Sequence, residues 1–253
     1  MKVSIITIVL NDAEYIEDCI LSVINQSYKD VEYIIIDGNS TDDTVRIIKR
    51  YNSKIETLLS EPDRGIYDAM NKGLAMASGE IIGFLNADDL YSDVDVMETV
   101  AAAMRDPKID ACYSDLIYVG RHDSKKILRY WRSCPFEAGL FKKGWAPPHP
   151  TFFVRKKIYD RCGGFDLKYK LAADFELMAR LLEFHKIRAV HIPKILVKMR
   201  LGGATNKSIV NIVKQNMEIL QACRQNGIEI SILAFLMSKF IARLKQFCAK
   251  PVV

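Results

Sequence analysis

Apolar residues along the first 90 positions fall into two alternating patterns. Short, mostly apolar runs occupy residues 3–10, 31–37, 55–60 and 80–86, and the first of them is rich in β-branched residues. Runs of this kind are typical of strands buried on both faces of a sheet. Apolar residues at helical spacing occupy the stretches between them, at residues 12–26, about 41–51 and 65–77. We therefore predict four strands separated by three amphipathic helices.

This alternation predicts an α/β sheet of parallel strands with helices on both faces. Right-handed crossovers place the carboxyl ends of the strands at one edge, where open sheets of this type bind ligands. The polar clusters of the chain follow the strands: Asn11 after the first, Asp37 after the second, residues 61–64 after the third, and Asp88 and Asp89 after the fourth. The sequence therefore predicts a ligand site along this edge.

The pattern loosens beyond residue 93. We predict helices at 93–105 and 173–184, strands at 109–119, 126–131, 151–154 and 187–198, and a glycine-containing turn at 200–206. Residues 132–150 contain three prolines near their end and show no clear period, which predicts a long loop. Long loops in compact domains are often functional.

The C-terminal region is predicted to form two helices, at 207–225 and 230–248. The second places apolar residues on one side and basic residues elsewhere, and no acidic residue follows Glu229. A basic amphipathic helix of this kind can lie on an anionic membrane. The alternative is that its apolar side packs on the domain or in an oligomer. No stretch reaches the ~18 consecutive apolar residues of a transmembrane helix.

Composition narrows the class of protein. The 253 residues are 49% hydrophobic and 26% charged, as in ordinary globular proteins. The net charge of +5 suits anions such as phosphates or acidic lipids, and is too small to indicate nucleic-acid binding. The six cysteines are scattered without zinc-type spacing, which predicts reduced thiols and a cytoplasmic protein. We interpret the apolar N-terminus as a strand rather than a signal peptide.

The common nucleotide and hydrolase motifs GxGxxG, GxxxxGK[ST], GxSxG and HExxH are absent. Acidic residues at the ligand edge are the remaining candidates. Asp88 and Asp89 offer hard oxygen ligands that suit Mg²⁺ or Mn²⁺ together with substrate phosphates; the alternative is helix capping by Asp89 or Asp93. Asp37 could accept a hydrogen bond from a base or a ribose, or cap the turn before the next helix.

Four blocks of the sequence, taken in order, resemble family 2 glycosyltransferases. They are VSIITIVLNDAEYIEDCILSVINQSY, VEYIIIDGNSTDDT, SEPDRGIYDAMNKGLAMASGEIIGFLNADDLY and HPTFFVRKKIYDRCGGFDLKYKLAADFELMARLL. The resemblance covers about residues 1–203 and is greatest to small bacterial enzymes that build O-antigen and other surface polysaccharides. It implies a GT-A fold, with a Rossmann-like, mostly parallel sheet flanked by helices and followed by a C-terminal helical appendage. It also implies a nucleotide-sugar donor, most often a UDP-sugar, and inversion at the anomeric carbon.

The resemblance also implies roles for individual residues on the donor side. Asp37 would contact the base, Asp63 and Arg64 would lie beside the nucleotide, and Thr7, Asn11 and Asn71 would complete this site. Asp88 would approach the ribose or the metal, and Asp89 would bind the Mg²⁺ or Mn²⁺ that bridges the diphosphate. Arg200 would lie close to the diphosphate; the alternative is a solvated surface arginine. Many members carry an acid where this chain has Asn86, so the metal site would depend on Asp88 and Asp89.

On the acceptor side, the catalytic base of the family corresponds to Asp174, which would take the proton from the acceptor hydroxyl. The alternative for Asp174 is an N-cap of the helix at 173–184, and Glu176 is the second candidate for the base. His149 could touch the acceptor or a phosphate, or could simply pack within its loop.

These inferences together predict a metal-dependent inverting glycosyltransferase at the cytoplasmic face of the inner membrane, acting on a lipid-linked saccharide. A GT-A domain would span residues 1–203, with a nucleotide-sugar half at about 1–117 and an acceptor half at about 118–203. Residues 204–253 would form a helical extension that contacts the membrane or another copy of the chain. The rivals are a nucleotidyltransferase and a non-catalytic nucleotide-sugar-binding protein of the same fold.

Overall fold

The structure is a computed structural model that describes residues 1–202 and 209–248. Nine strands lie in these residues: β1 Val3–Val9, β2 Val31–Asp37, β3 Thr57–Ser60, β4 Ile81–Asn86, β5 Leu90–Tyr91, β6 Ala111–Val119, β7 Ile127–Trp131, β8 Phe153–Arg155 and β9 Ala189–Arg200. Eight α-helices accompany them: α1 Ile16–Ile24, α2 Thr44–Ile48, α3 Ile66–Met76, α4 Val96–Ala103, α5 Lys156–Cys162, α6 Ala173–Ala179, α7 Ile209–Gln225 and α8 Ile232–Cys248.

All nine strands belong to one sheet, in the order β3-β2-β1-β4-β8-β6-β9-β5, with β7 paired to β6 outside this path. Strands β1 to β4 are parallel, and Thr7 lies opposite Ile35 on one side and Leu85 on the other. This half confirms the predicted parallel core. The other half is mixed, because β8 pairs antiparallel with both β4 and β6 while β9 runs parallel to β6.

The pleat of the sheet divides the core into two layers. Side chains such as Ile6, Ile34 and Ile36 face one layer, which α3, α5, α6 and α7 cover. The alternate residues of the same strands face the other layer, which α1, α2 and α4 cover. Because successive side chains of a strand point to opposite faces, the continuous apolar runs of the sequence serve both layers.

Several elements differ from the prediction. Helix α2 ends at Ile48 and continues as a 3₁₀ turn, and α6 ends at Ala179 and continues as a π-helical turn. Helix α5 was not predicted, because its seven residues KKIYDRC are too few to show a helical period. Strand β5 was not predicted either. It has only two residues, and its pairing with β9 joins positions more than 100 residues apart.

The two C-terminal helices pack differently. Helix α7 buries Ile219, Ala222 and Cys223 in the core layer beneath it. Helix α8 buries Phe235, whereas the predicted apolar stripe is exposed at the positions Leu233, Leu236, Met237, Ile241, Leu244 and Phe247. Packing of that stripe on the domain is therefore wrong for these side chains. The turn predicted at 200–206 is described only up to residue 202. Its remaining residues lie outside the described part of the chain, and so do residues 207 and 208 at the start of the helix predicted at 207–225. Within the described ranges, every helix is too short or too polar to cross a bilayer.

Candidate active site

A cavity of about 550 Å³ opens at the carboxyl edge of β1 and β4, as the sequence predicted for the ligand site. Its walls come from the ends of these strands, the start of α3, the β6–β7 turn, the start of α6, the end of β9 and helix α7. Six of the predicted site residues line it: Asn11, Asp63, Asp88, His149, Asp174 and Arg200. The structure therefore brings donor-side and acceptor-side candidates to one place, although 163 positions separate Asn11 from Asp174.

The two adjacent acids after β4 point in different directions. Asp88 lines the cavity, whereas Asp89 is fully buried. The Asp89 carboxylate accepts hydrogen bonds from Asn86 Nδ2 at 3.0 Å and from the backbone N–H of Arg200 at 3.3 Å. Burial, and then the nearby charge of Asp88, raise the pKa of Asp89 well above its ordinary range. Asn86 therefore supports Asp89 by a hydrogen bond.

Arg200 is buried rather than a solvated surface arginine, with 5% of its surface exposed. Its guanidinium donates to the backbone oxygens of Asp88 at 3.0 Å and Arg121 at 3.1 Å, and to the carboxylate of Asp18. These bonds join α1, the Asp88 loop and the β6–β7 turn. Arg200 lines the cavity, but the partners of its donor groups are protein atoms.

Two charged residues of the cavity were missed by the sequence analysis. Asp12 follows Asn11 at the end of β1, and burial and the neighbouring Asp88 raise its pKa to about 6. Arg121 lies in the β6–β7 turn and donates to the hydroxyl of Tyr15 at 3.0 Å. The polar cluster at the end of β1 was a signal for Asp12. No local pattern singles out Arg121 within the polar turn that contains it.

The donor set of the cavity fits a divalent cation that shares its ligands with a substrate. Asp12 and Asp88 present carboxylates to the same cavity. Among the described residues, no group of three or more His, Cys, Asp or Glu side chains is placed to hold a metal without other ligands. Mg²⁺ commonly takes one or two carboxylates and completes its shell with water and substrate phosphates. The residues present therefore suit a cation that binds together with a diphosphate.

A second cluster of acids surrounds the end of β2. Asp37 is fully buried, and its Oδ2 accepts from the backbone N–H of Ser40 at 3.0 Å and from Ser60 Oγ at 2.6 Å. Within the described part of the chain, Asp37 Oδ1 is buried without a hydrogen-bond partner. Such groups are rare in native proteins and call for a ligand or a water.

Asp63 lies against this cluster. Its Oδ2 is so close to Gly38 that a Cβ on the glycine would come within 2.5 Å, and its Oδ1 accepts from the backbone N–H of Gly65 at 2.8 Å. Asn11 adopts a φ of 51° and accepts from the backbone N–H of Thr41 at 2.8 Å, which ties the end of β1 to the loop after β2. Asn tolerates this left-handed conformation better than most residues.

Besides the buried Asp37 and Asp89, four predicted site residues do not line the cavity. Thr7 is buried beside the Tyr33 hydroxyl at 3.1 Å, and Asn71 bonds the backbone of Phe165 in both directions. Arg64 is 76% exposed and pairs with Asp68, and Glu176 is buried and pairs with Arg180. Each of these side chains is engaged in holding the fold together. Of the two candidates for the catalytic base, Asp174 lines the cavity and Glu176 does not.

Asp174 is the second residue of α6, and the N-cap position belongs to Ala172. The alternative in which Asp174 caps this helix is therefore wrong. Its Oδ1 instead accepts a hydrogen bond of 2.9 Å from the hydroxyl of Tyr67, a buried residue of α3 that also lines the cavity. Burial and the charge of Asp174 raise the pKa of Tyr67 well above its ordinary range. Tyr67 thus stays protonated and keeps the carboxylate oriented.

His149 lines the cavity next to this pair. Its ring stacks on Phe84 at a centroid distance of 5.8 Å and meets the edge of Phe165 at 5.6 Å. Burial lowers the pKa of His149, and the charge of Asp174 opposes this effect. The His149 ring is packed in its loop and also lines the cavity. Packing within the loop and contact with the acceptor or a phosphate are therefore compatible predictions for this residue.

Helix α7 supports the segment that leads to Asp174, a feature that the sequence analysis missed. The Glu218 carboxylate accepts from the backbone N–H groups of Lys170, Leu171 and Ala172 at 3.1, 2.8 and 3.0 Å. Gln215 lines the cavity and donates to the backbone oxygen of Leu171 at 3.2 Å. The predicted C-terminal extension thus contributes one wall of the cavity.

Comparisons with known proteins find one family that matches this chain. The family model described as "Glycosyl transferase family 2" matches residues 4–163. An uncharacterised glycosyltransferase of Mycobacterium tuberculosis is 36% identical over 180 residues, which cover 70% of this chain and 68% of the relative. A PGL/p-HBAD biosynthesis glycosyltransferase of Mycobacterium bovis is 28% identical over 233 residues, which cover 91% of this chain and 88% of the relative.

Solved structures show the same fold at low sequence identity. Residues 1–349 of S. aureus TarS in complex with UDP match with a TM-score of 0.66 and 18% identity, covering 96% of this chain and 70% of that one. The mannosyltransferase PcManGT of Pyrobaculum calidifontis, in complex with GDP-Man and Mn²⁺, matches with a TM-score of 0.65 and 18% identity, covering 99% of this chain and 76% of that one. The curled mixed sheet with its flanking helices is therefore a GT-A fold.

Proposed function

The chain belongs to glycosyl transferase family 2, and we propose that it moves a sugar from a nucleotide-sugar donor to a hydroxyl group of a lipid-linked saccharide, with inversion. The observation that carries this proposal is that Asp88 and Asp174 line the same cavity, Asp88 from the carboxyl edge of the sheet and Asp174 from the acceptor side. The proposed donor is a UDP-sugar, since TarS binds UDP in a structure of the same fold.

On the donor side, we propose that Asp37 Oδ1, which has no hydrogen-bond partner among the described residues, accepts a hydrogen bond from an N–H group of the base. Asp63, on the cavity wall beside Gly38, would contact the nucleoside. Asp88 and Asp12 would hold Mg²⁺ or Mn²⁺ against the diphosphate. When bound, this cation would offset the negative charge of the departing nucleoside diphosphate. Asp89 would support the loop that presents Asp88.

On the acceptor side, Asp174 would act as the general base. Its carboxylate takes the proton of the acceptor hydroxyl while the hydroxyl oxygen forms a bond to the anomeric carbon. The bond between that carbon and the diphosphate oxygen breaks, and its electron pair leaves with the nucleoside diphosphate. Attack on the face opposite the leaving group inverts the configuration. Tyr67 holds the Asp174 carboxylate by its hydrogen bond of 2.9 Å.

We further propose that the acceptor is lipid-linked and that the reaction belongs to the synthesis of a bacterial surface polysaccharide. This role would place the enzyme in the cytoplasm, peripherally at the inner face of the membrane. Two features support it: a relative named for the biosynthesis of PGL/p-HBAD, and the exposed apolar positions of α8. A nucleotidyltransferase would need a glycine- and lysine-rich segment after the first strand. This chain has LNDAEY there, which argues against that rival.

Asp174→Asn tests the proposal against the non-catalytic rival. We expect transfer, measured as nucleoside diphosphate release from a panel of nucleotide sugars with Mn²⁺, to fall about 10²- to 10⁴-fold. UDP binding, measured by thermal shift, should stay unchanged, because Asp174 is not among the proposed nucleotide contacts. The matched control Asp160→Asn changes an exposed carboxylate of α5 and should behave as the unmodified chain. Full activity of Asp174→Asn would refute the base assignment, and UDP binding without transfer in the unmodified chain would favour the rival.

A further inference from the structure

Helices α7 and α8 expose an unusual amount of apolar surface. On α8 the exposed residues recur at intervals of three and four, and Leu233 is 74% exposed. On α7 the same spacing holds for Val210, Val213 and Met217, which is 65% exposed. Monomeric proteins rarely leave large apolar patches uncovered, and those that do usually bind a partner or a membrane there.

The charges of the two helices point to one kind of partner. Helix α8 contains no acidic residue, and the single acid of α7 is Glu218, whose carboxylate turns inward to the backbone amides of residues 170–172. Exposed cations flank the apolar positions, namely Lys214 on α7 and Arg243 on α8. Two further exposed lysines, Lys142 and Lys143, lie near α8. They precede Gly144, which is so close to α8 that a Cβ added to it would lie 2.6 Å from the side chain of Lys239.

We propose that the outer faces of α7 and α8, here called the C-terminal face, dock on an anionic lipid bilayer. Apolar side chains flanked by cations suit a helix that lies at the boundary between lipid headgroups and acyl chains. Neither helix is long and apolar enough to span a bilayer, so the face rests on the surface. A second copy of the chain fits less well, because a two-fold interface would pack this cation-bearing face against the same face of the other copy.

This inference deepens the proposed function and rests on its lipid-linked acceptor. Helix α7 lines the cavity through Gln215 and holds the segment before Asp174 through Glu218. The helix that meets the bilayer is thus also a wall of the acceptor side of the cavity. Docking would therefore bring the acceptor side of the cavity to the surface in which a lipid-linked saccharide resides.

Vesicle co-sedimentation of the full chain tests the C-terminal face. The probes are phosphatidylcholine vesicles with and without phosphatidylglycerol. We expect binding to the anionic vesicles that weakens as salt is added. Leu233→Glu and Met217→Glu should each weaken this binding about tenfold or more, because each removes an apolar side chain from the interface and adds a repelled charge. Phe184→Glu is the matched control, since Phe184 is 63% exposed and lies outside the C-terminal face; it should bind as the unmodified chain does.

Three results would overturn the inference. The first is equal vesicle binding by Leu233→Glu and Phe184→Glu, and the second is no vesicle binding by the unmodified chain. The third is a dimer in solution that Leu233→Glu converts to a monomer, since a second copy would then cover the face. Transfer to a water-soluble saccharide without vesicles separates this inference from the proposed function. Transfer without vesicle binding refutes the docking alone, whereas vesicle binding without transfer to any acceptor refutes the glycosyltransferase role.

Discussion

Replacing Glu218 tests whether helix α7 positions the proposed catalytic base. The Glu218 carboxylate accepts three backbone N–H groups, at 3.1, 2.8 and 3.0 Å, in the segment that enters α6 immediately before Asp174. A hydrogen bond to a charged group contributes about 1.5–3 kcal/mol. Since the three bonds share one half-buried carboxylate, we expect Glu218→Ala to lower the free energy of unfolding by about 2–4 kcal/mol.

The effect on catalysis should be larger than the effect on substrate binding. A shift of about 1 Å in a catalytic group can cost up to 10²-fold in rate, so kcat of Glu218→Ala should fall roughly 10- to 100-fold. The KM for the donor should stay unchanged, because Asp37, Asp63 and Asp88 lie on other elements. Glu218→Gln keeps an oxygen that accepts hydrogen bonds and should recover most of the rate.

Steady-state kinetics and chemical denaturation of the unmodified chain, Glu218→Ala and Glu218→Gln provide the measurement. Glu229→Ala is the matched control, since Glu229 is an exposed acid in the connection between α7 and α8. It should leave kcat and stability unchanged. If Glu218→Ala retains full kcat while losing stability, α7 only stabilises the fold. If the donor KM rises together with the loss of kcat, the disturbance reaches the donor side and the reasoning is wrong.

Three further predictions concern the support of the site and the fold. A lysine at position 200 cannot form the three hydrogen bonds that the guanidinium of Arg200 donates. Arg200→Lys should therefore lower the free energy of unfolding by about 2–4 kcal/mol and weaken UDP binding. Unchanged denaturation and thermal-shift profiles would contradict this. Burial alone would raise the pKa of Glu32, but hydrogen bonds from Ser4, Ser78 and Lys2 outweigh it and hold the pKa at about 2, below the ordinary 4.5. The Glu32 carboxylate binds a proton more readily in the unfolded chain than in the folded one. About 1–3 kcal/mol of stability should therefore be present above pH 4.5 and lost as the pH falls toward 2. Glu32→Gln should flatten this part of the profile of stability against pH, and an unaltered profile would count against the prediction. Gly83→Ala would place a Cβ 2.4 Å from the buried ring of Phe153, so denaturation should show a loss of about 1–3 kcal/mol, whereas unchanged stability would show that the ring can move.

The parallel half of the fold was predictable because its signals are local. Strands β1, β2 and β4 are continuous apolar runs, and a run of that length can be recognised without knowing its neighbours. Strand β5 and helix α5 lack such a signal. Strand β5 exists because Leu90 and Tyr91 pair with residues 197 and 198 of β9, a contact that no pattern around Leu90 records.

The candidate site was predictable in position, and less so in the orientation of its side chains. The residues at the strand ends and Asp174 were found from strand boundaries and from the family resemblance. Asp88 and Asp89 looked equivalent in the sequence, yet Asp88 lines the cavity and Asp89 is buried against Asn86 and the backbone of Arg200. Adjacent residues leave a turn in different directions, and that choice depends on which distant elements pack against each one.

By itself, the sequence determined the alternation of strands and helices, the edge at which the candidate site lies, and the membership of glycosyl transferase family 2. Each of these depends on residues close together in the chain or on ordered motifs. The tertiary structure decided which acids share the cavity, that Arg200 is buried, and that Glu218 of α7 supports the segment before Asp174. The hydrogen bonds behind these facts join residues 46 to 182 positions apart. Contacts over such distances arise from packing of whole elements, which local patterns of apolar and polar residues do not encode.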